Sequence, residues 1–153
     1  MLRRAMCCMA LAAAGVYGQG LEIYRNPDAG LEERVADLVS RMTLEEKVAQ
    51  MQNAAPAIPR LGVTQYNWCN ECLHGVARAG RATVFPQAIG MAASWDAALM
   101  KRVAEAISDE ARAKHHEFVR RGKRNIYQGL TFWTPNIDLF RDPRWGRGME
   151  TYG

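Results

Sequence analysis

Apolar residues recur at helical spacing through the first third of the chain. In NPDAGLEERVADLVSRMTLEEKVAQMQN (26–53), Leu31, Val35, Leu38, Val39 and Met42 share one face, and Leu44, Val48 and Met51 carry an apolar face onward. Thr43 with Glu46 three residues later makes a capping box, so the pattern predicts two short helices meeting at Met42–Thr43. Pro56 and Pro59 punctuate AAPAIPRLG (54–62) as a loop. The alternation in VTQYNW (63–68) predicts a strand. ARAGRAT (77–83) reads as a loop, and Pro86 opens a short helical turn through Gly90. The longest periodic stretch, about 95–121, has the stripe Leu99, Val103, Ile107, Ala111 and then Phe118 or Val119. Ser94 is its expected N-cap and Gly122 its expected C′ residue. LTFWTPNIDLF (130–140) predicts a further strand with a break at Pro135, leading into the loop RDPRWGRGMETYG.

Helices and strands in this order predict an α/β fold with a parallel sheet. In such folds chemistry sits at the C-terminal ends of the strands. Two polar-rich stretches, Asn70–Gly75 and Asp138–Tyr152, directly follow predicted strands and become the candidate functional loops.

The first 18 residues change the charge picture. MLRR is a short basic segment and AMCCMALAAAGVYG (5–18) is apolar, with Val16 and Gly18 suiting the −3 and −1 positions of an export signal cleaved near Gly18–Gln19. The stretch is shorter than the ~20 apolar residues a membrane span requires. The expectation is a signal peptide at 1–18, a mature segment at 19–153, and a periplasmic or extracellular destination with no membrane association after cleavage. The 20 Lys and Arg and 16 Asp and Glu give net charge +4. Without Arg3 and Arg4 the balance is 18 basic against 16 acidic residues, and the basic residues are scattered apart from RRGK (120–123). That distribution argues against a nucleic-acid partner.

NWCNECLHG (67–75) concentrates the candidate chemistry. Cys69, Cys72 and His74 supply three potential zinc ligands where a structural site requires four. A redox reading of Cys69 and Cys72 is opposed by Glu71 between them, whose charge raises a thiol pKa. Glu71 beside Trp68 fits sugar binding: a carboxylate accepts from two hydroxyls while an indole face covers the apolar C–H side of the ring. In the second loop, Asp138, Asp142, Arg144, Arg147 and Glu150 can be mutual ion pairs, donor forks for hydroxyls or an acid/base pair, and spacing does not separate these. His115 and His116 lie within the long helix and read as packing or surface residues.

Four stretches together resemble glycoside hydrolase family 3, in its β-xylosidase and β-glucosidase branch. They are NECLHGVAR (70–78), TVFPQAIGMAASWD (83–96), DEARAKHHE (109–117) and GLTFWTPNIDLFRDPRWGRGMETYG (129–153). DLVSRMTLEEKVAQM (37–51) is also similar to the helical opening of such enzymes.

The resemblance implies the N-terminal part of a TIM-like (β/α)8 barrel, incomplete in this chain. It implies an exo-acting, retaining enzyme that removes terminal non-reducing sugars from β-linked oligosaccharides, without organic cofactor or metal. The wording of the motifs favours xylan 1,4-β-xylosidase over β-glucosidase. Glu71 and Arg147 match family positions that hold the sugar, and Trp68 matches an aromatic position near it. Trp68–Cys69 stands where many relatives carry two aromatics, and Met149 where they carry Gln. The nucleophile, a Lys-His pair and the acid/base would lie beyond Gly153, so the 153 residues alone are expected to be inactive and poorly folded. A retaining mechanism needs two carboxyl groups about 5–5.5 Å apart. A rival from another class is a non-catalytic sugar-binding remnant.

Overall fold

The structure is a computed structural model that describes residues 22–153. The signal peptide expected at 1–18 lies outside the described residues. The chain divides into two compact units, up to Arg41 and from Met42 onward.

In the first unit, a 3-10 turn at Ile23–Arg25 precedes helix α1 (Leu31–Arg41). Glu32 and Glu33 in its first turn and Arg41 in its last suit the helix dipole. Asp37 fastens the turn to the helix, accepting from the Tyr24 N–H at 3.0 Å and from Arg41 at 2.9 Å. Arg41 holds the Asp37 carboxyl below its ordinary pKa, and it also lies over the Tyr24 ring. Among the described residues, Leu31, Val35 and Val39 of the apolar stripe are exposed.

The second unit opens with α2 (Leu44–Gln50), started by the predicted capping box. Glu46 N–H donates to Thr43 Oγ1 at 3.2 Å, and Thr43 N–H donates to Glu46 Oε2 at 2.8 Å. The stretch expected to be a loop at 54–62 contains a strand. β1 (Ala54–Ala55) pairs antiparallel with β2 (Tyr66–Asn67), in register Ala54 to Asn67 and Ala55 to Tyr66. An antiparallel bridge between Ile58 and Val63 closes the hairpin around the 3-10 turn Pro59–Leu61, with Gly62 left-handed at φ 67°. The prolines sit where no ladder N–H is required, which is why they did not exclude the pairing.

Helix α3 (Ala88–Ala92) follows Pro86 and leads into α4 (Ala97–Arg120). Asp96, rather than Ser94, caps α4: its Oδ1 accepts from the Leu99 N–H at 2.8 Å. Ser94 instead donates to the Met91 carbonyl at 2.7 Å and so serves the end of α3. Gly122 (φ 67°) ends α4 in a Schellman motif, with Gly122 N–H on Val119 O and Lys123 N–H on Phe118 O.

Val103, Ile107 and Ala111 of α4 pack with Val76 and Met91, and Phe85, Leu130 and Phe132 close around them. The helix also holds its neighbours by polar groups. Glu110 accepts from the Thr83 N–H at 3.0 Å, Lys114 donates to the Ala79 and Arg81 carbonyls, and His115 Nδ1 donates to Gln128 O at 2.8 Å. His115 is thus a packing residue, as its helical setting suggested.

The strand expected over 130–140 does not form. Among the described residues, parallel pairing is confined to the single bridges Asn70 to Phe132, Leu73 to Gly75 and Asn136 to Thr151. Pro135, on a cis Thr134–Pro135 bond, has no N–H to extend a ladder. The described residues are mixed helix and strand, and they do not by themselves make a barrel.

Candidate functional site

Asn70 builds the first loop. Its side chain is fully buried and all its polar atoms are used. Nδ2 donates to Asn67 O at 3.1 Å and Thr131 O at 3.0 Å, while Oδ1 accepts from the Gly129 N–H at 2.7 Å. Its backbone carbonyl accepts from the Trp133 N–H at 3.1 Å. Tyr66 completes the joint, its hydroxyl accepting from the Leu130 and Thr131 N–H groups at 2.8 and 3.0 Å. Gly129 passes so close to Asn70 and Tyr66 that a Cβ there would fall 2.8 Å from both.

Glu71 follows this buried anchor and opens onto a cleft of about 1010 Å³. Glu71 and Arg147, far apart in sequence, line the same cleft, together with His74, Arg78, Trp133 and Asp138. Glu71 pairs with Arg78 at 3.3 Å, and both side chains are substantially exposed. Arg78 has φ 58°, uncommon for a non-glycine residue, and its guanidinium lies over the Tyr127 ring at 5.4 Å. Arg147 donates to Glu150 at 2.6 Å. That carboxylate raises the Arg147 pKa, with smaller contributions from Asp138 and Glu71, and Arg147 in turn lowers that of Glu150. Exposed pairs of this kind hold weakly and can exchange partners with an incoming polar ligand.

Trp68 is placed differently. It stands outside the cleft lining, with its ring edge-on to Tyr66 at 5.2 Å, and its carbonyl accepts from Trp133 Nε1 at 2.6 Å. Trp133, within the strand expected at 130–140, carried no site expectation, yet it lines the cleft. The legible signal was an aromatic just before a Thr-Pro break.

The remaining candidates resolve into ordering roles. Asp142 accepts from Arg144 at 2.6 Å, which keeps its carboxyl below the usual range. His74 Nδ1 donates to Phe85 O at 2.9 Å, supporting the loop. Cys69 and Cys72 are free thiols. Burial pushes the Cys72 pKa up, outweighing the opposite effect of Thr134 Oγ1 at 3.2 Å from its Sγ, and this is contrary to the low-pKa thiolate of a redox motif. Among the described residues, no three His, Cys, Asp or Glu side chains gather as metal ligands, so Cys69, Cys72 and His74 do not form a shared site.

Residues 31–153 match the model of the glycosyl hydrolase family 3 N-terminal domain. A xylan 1,4-beta-xylosidase of Xylanibacter ruminicola is 48% identical over 132 residues, covering 85% of this chain and 15% of that protein. A probable beta-D-xylosidase 7 of Arabidopsis thaliana is 49% identical over 136 residues, covering 82% of this chain and 17% of its own length. Among solved structures, a GH3 exo-beta-xylosidase (XlnD) in complex with a xylobiose aziridine activity based probe superposes with TM-score 0.73 at 33% identity, over 87% of this chain and 17% of that one. The chain thus spans about a sixth of these relatives' lengths. With the domain match running through both candidate loops, the chain belongs to glycosyl hydrolase family 3.

Proposed function

We propose that this chain supplies the first sugar-binding loops of an exo-acting, retaining β-xylosidase acting on β-linked xylo-oligosaccharides. The observation that carries the reading is the convergence of Glu71 and Arg147 on one cleft. A carboxylate that accepts from two adjacent hydroxyls and a guanidinium that donates to a third oxygen together fix a pyranose ring in one orientation. The names of the relatives support xylose over glucose as the terminal sugar. In this reading the segment is the opening of a TIM-like barrel, and the nucleophile and acid/base come from later sequence. The 153 residues alone are then inactive. In this reading the enzyme is exported and meets its xylo-oligosaccharide substrate outside the cytoplasm.

The test is expression from the full reading frame, assayed with aryl β-xyloside and aryl β-glucoside. Preferred xyloside turnover with retention of anomeric configuration is the expected result. Preferred glucoside turnover moves the protein to the β-glucosidase branch, and sugar binding without turnover leaves a binding protein.

A further inference from the structure

We infer that Arg78 is a positioning residue for Glu71: its guanidinium aims the carboxylate that receives sugar hydroxyls, and it acts on the sugar only through that carboxylate. The inference rests on the sugar-binding reading above and deepens it. Arg78 Nε lies 3.3 Å from Glu71 Oε2. A carboxylate has about four acceptor positions, so a contact of this kind leaves others for hydroxyls.

The backbone at Arg78 sets this pair apart from the others around the cleft. Its φ of 58° lies in the left-handed region, which a bulky side chain rarely adopts and which persists only where the surroundings impose it. Here they do so from both sides. Before Arg78, Val76 is buried in the core and the Ala77 N–H donates to Glu71 O at 2.9 Å. After it, Lys114 of α4 donates to the Ala79 carbonyl at 3.4 Å and to the Arg81 carbonyl, and Glu110 accepts from the Thr83 N–H at 3.0 Å. The Ala77 bond returns the chain to the very residue whose carboxylate Arg78 meets. The turn itself therefore brings the two side chains together.

The guanidinium is also held on a second side, over the Tyr127 ring at 5.4 Å from its centroid. Tyr127 is left-handed as well, at φ 65°, and its N–H donates to Cys69 O at 3.1 Å. Two uncommon backbone conformations from separate segments are thus each tied to the 69–71 backbone and meet beside Glu71. A planar guanidinium can stack on a ring with its face and meet a carboxylate with its edge. Arg144 and Arg147, by contrast, pair with carboxylates two and three residues away on their own loop. Arg78 is arranged before any sugar arrives, which lowers the cost of ordering Glu71 on binding.

The experiment uses protein expressed from the full reading frame and a double-mutant cycle of Arg78→Gly with Glu71→Gln. The readouts are kcat/KM for 4-nitrophenyl β-xyloside and the Tm of each protein. Glycine accepts a φ of 58°, so the turn survives loss of the guanidinium. Arg78→Gly is expected to lower kcat/KM about fivefold with Tm retained, the size of an exposed ion pair, and to have no effect when Glu71 is already Gln. Arg78→Lys, which keeps the cation, is expected to recover part of the loss. A loss of equal size in both backgrounds overturns the inference, because Arg78 then acts independently of Glu71. An unaltered kcat/KM in Arg78→Gly overturns it too, as do equal losses in the Gly and Lys variants, which trace the effect to something other than the charge. The two readings fail separately. A Glu71→Gln variant as active as wild type defeats the sugar-binding reading and this inference with it, whereas a large Glu71→Gln loss with an additive Arg78→Gly loss defeats this inference alone. A wild-type protein that binds xylose without turnover defeats only the hydrolase reading, and the same cycle read on the xylose Kd then decides the role of Arg78.

Discussion

The two loops that frame the cleft are held over different ranges of sequence. The loop at 67–75 is anchored by Asn70, fully buried and bonded to groups 59 and 61 residues away. The loop at 138–152 is ordered locally: its fully buried Thr151 donates to Gly148 O at 3.0 Å, and exposed pairs join Asp142 with Arg144 and Arg147 with Glu150. A buried, satisfied amide is insensitive to salt and pH, and removing it leaves several partners unpaired. Exposed pairs are screened by salt and lost with acid. The backbone beneath Glu71 is therefore firmly placed, whereas the Glu71 carboxylate and the Arg147 guanidinium are each held by an exposed pair.

Breaking the rigid side should cost most. Asn70→Leu leaves the Gly129 N–H and two carbonyls without their partner, and it is expected to destabilise the protein by about 3 kcal/mol in chemical denaturation. A near-wild-type midpoint would contradict the anchor. Gly75→Ala comes next. Its φ of 128° is nearly restricted to glycine, and a Cβ would collide with the Thr83 carbonyl, so a loss of about 2 kcal/mol or more is expected by the same measurement.

The adaptable side predicts smaller, condition-dependent effects. Glu150→Gln should raise KM for an aryl xyloside by a few-fold at most, with the difference shrinking at high salt. Its sign with pH follows from the lowered Glu150 pKa. The pair contributes fully above the ordinary carboxyl range and is lost as pH falls through the folded-state value, so the variant and wild type should converge in acid. Smallest is Glu117→Gln at the end of α4. Arg120 and Arg121 lower the Glu117 pKa from 4.5 to about 2. A slight drop in Tm at pH 7 should fade between pH 4.5 and about 2, and a difference that persists below that range would rule out the ion pairs as its source.

The sequence made local chemistry legible and long-range chemistry much less so. The Thr43 capping box, the Gly122 terminus and the α4 stripe from Val103 to Ala111 depend on residues within one or two turns and formed as expected, while Leu99 is exposed and Met100 packs in its stead. Ser94 and Asp96 are equally good caps by type. The choice between them turned on which carbonyls of α3 were in need of a donor. The missed β1 and the absent strand at 130–140 both depend on partners rather than on propensity. Pro56 and Pro59 left the 54–55 pairing untouched, and past Phe132 the pairing shrinks to single bridges. Glu71 and Arg147 could be picked out by type and motif. Asn70 and Trp133 could not, because nothing local separates a fully buried asparagine from the half-buried Asn67, or a cleft-lining tryptophan from Trp68.

The most direct test of the central claim is the kcat/KM of Glu71→Ala for an aryl β-xyloside, measured on protein from the full reading frame. Loss of a charged acceptor that holds sugar hydroxyls predicts a fall of about 100-fold or more, with the fold and Tm retained. A kcat/KM within a factor of about two of wild type would contradict the account, because the carboxylate would then be only the exposed partner of Arg78.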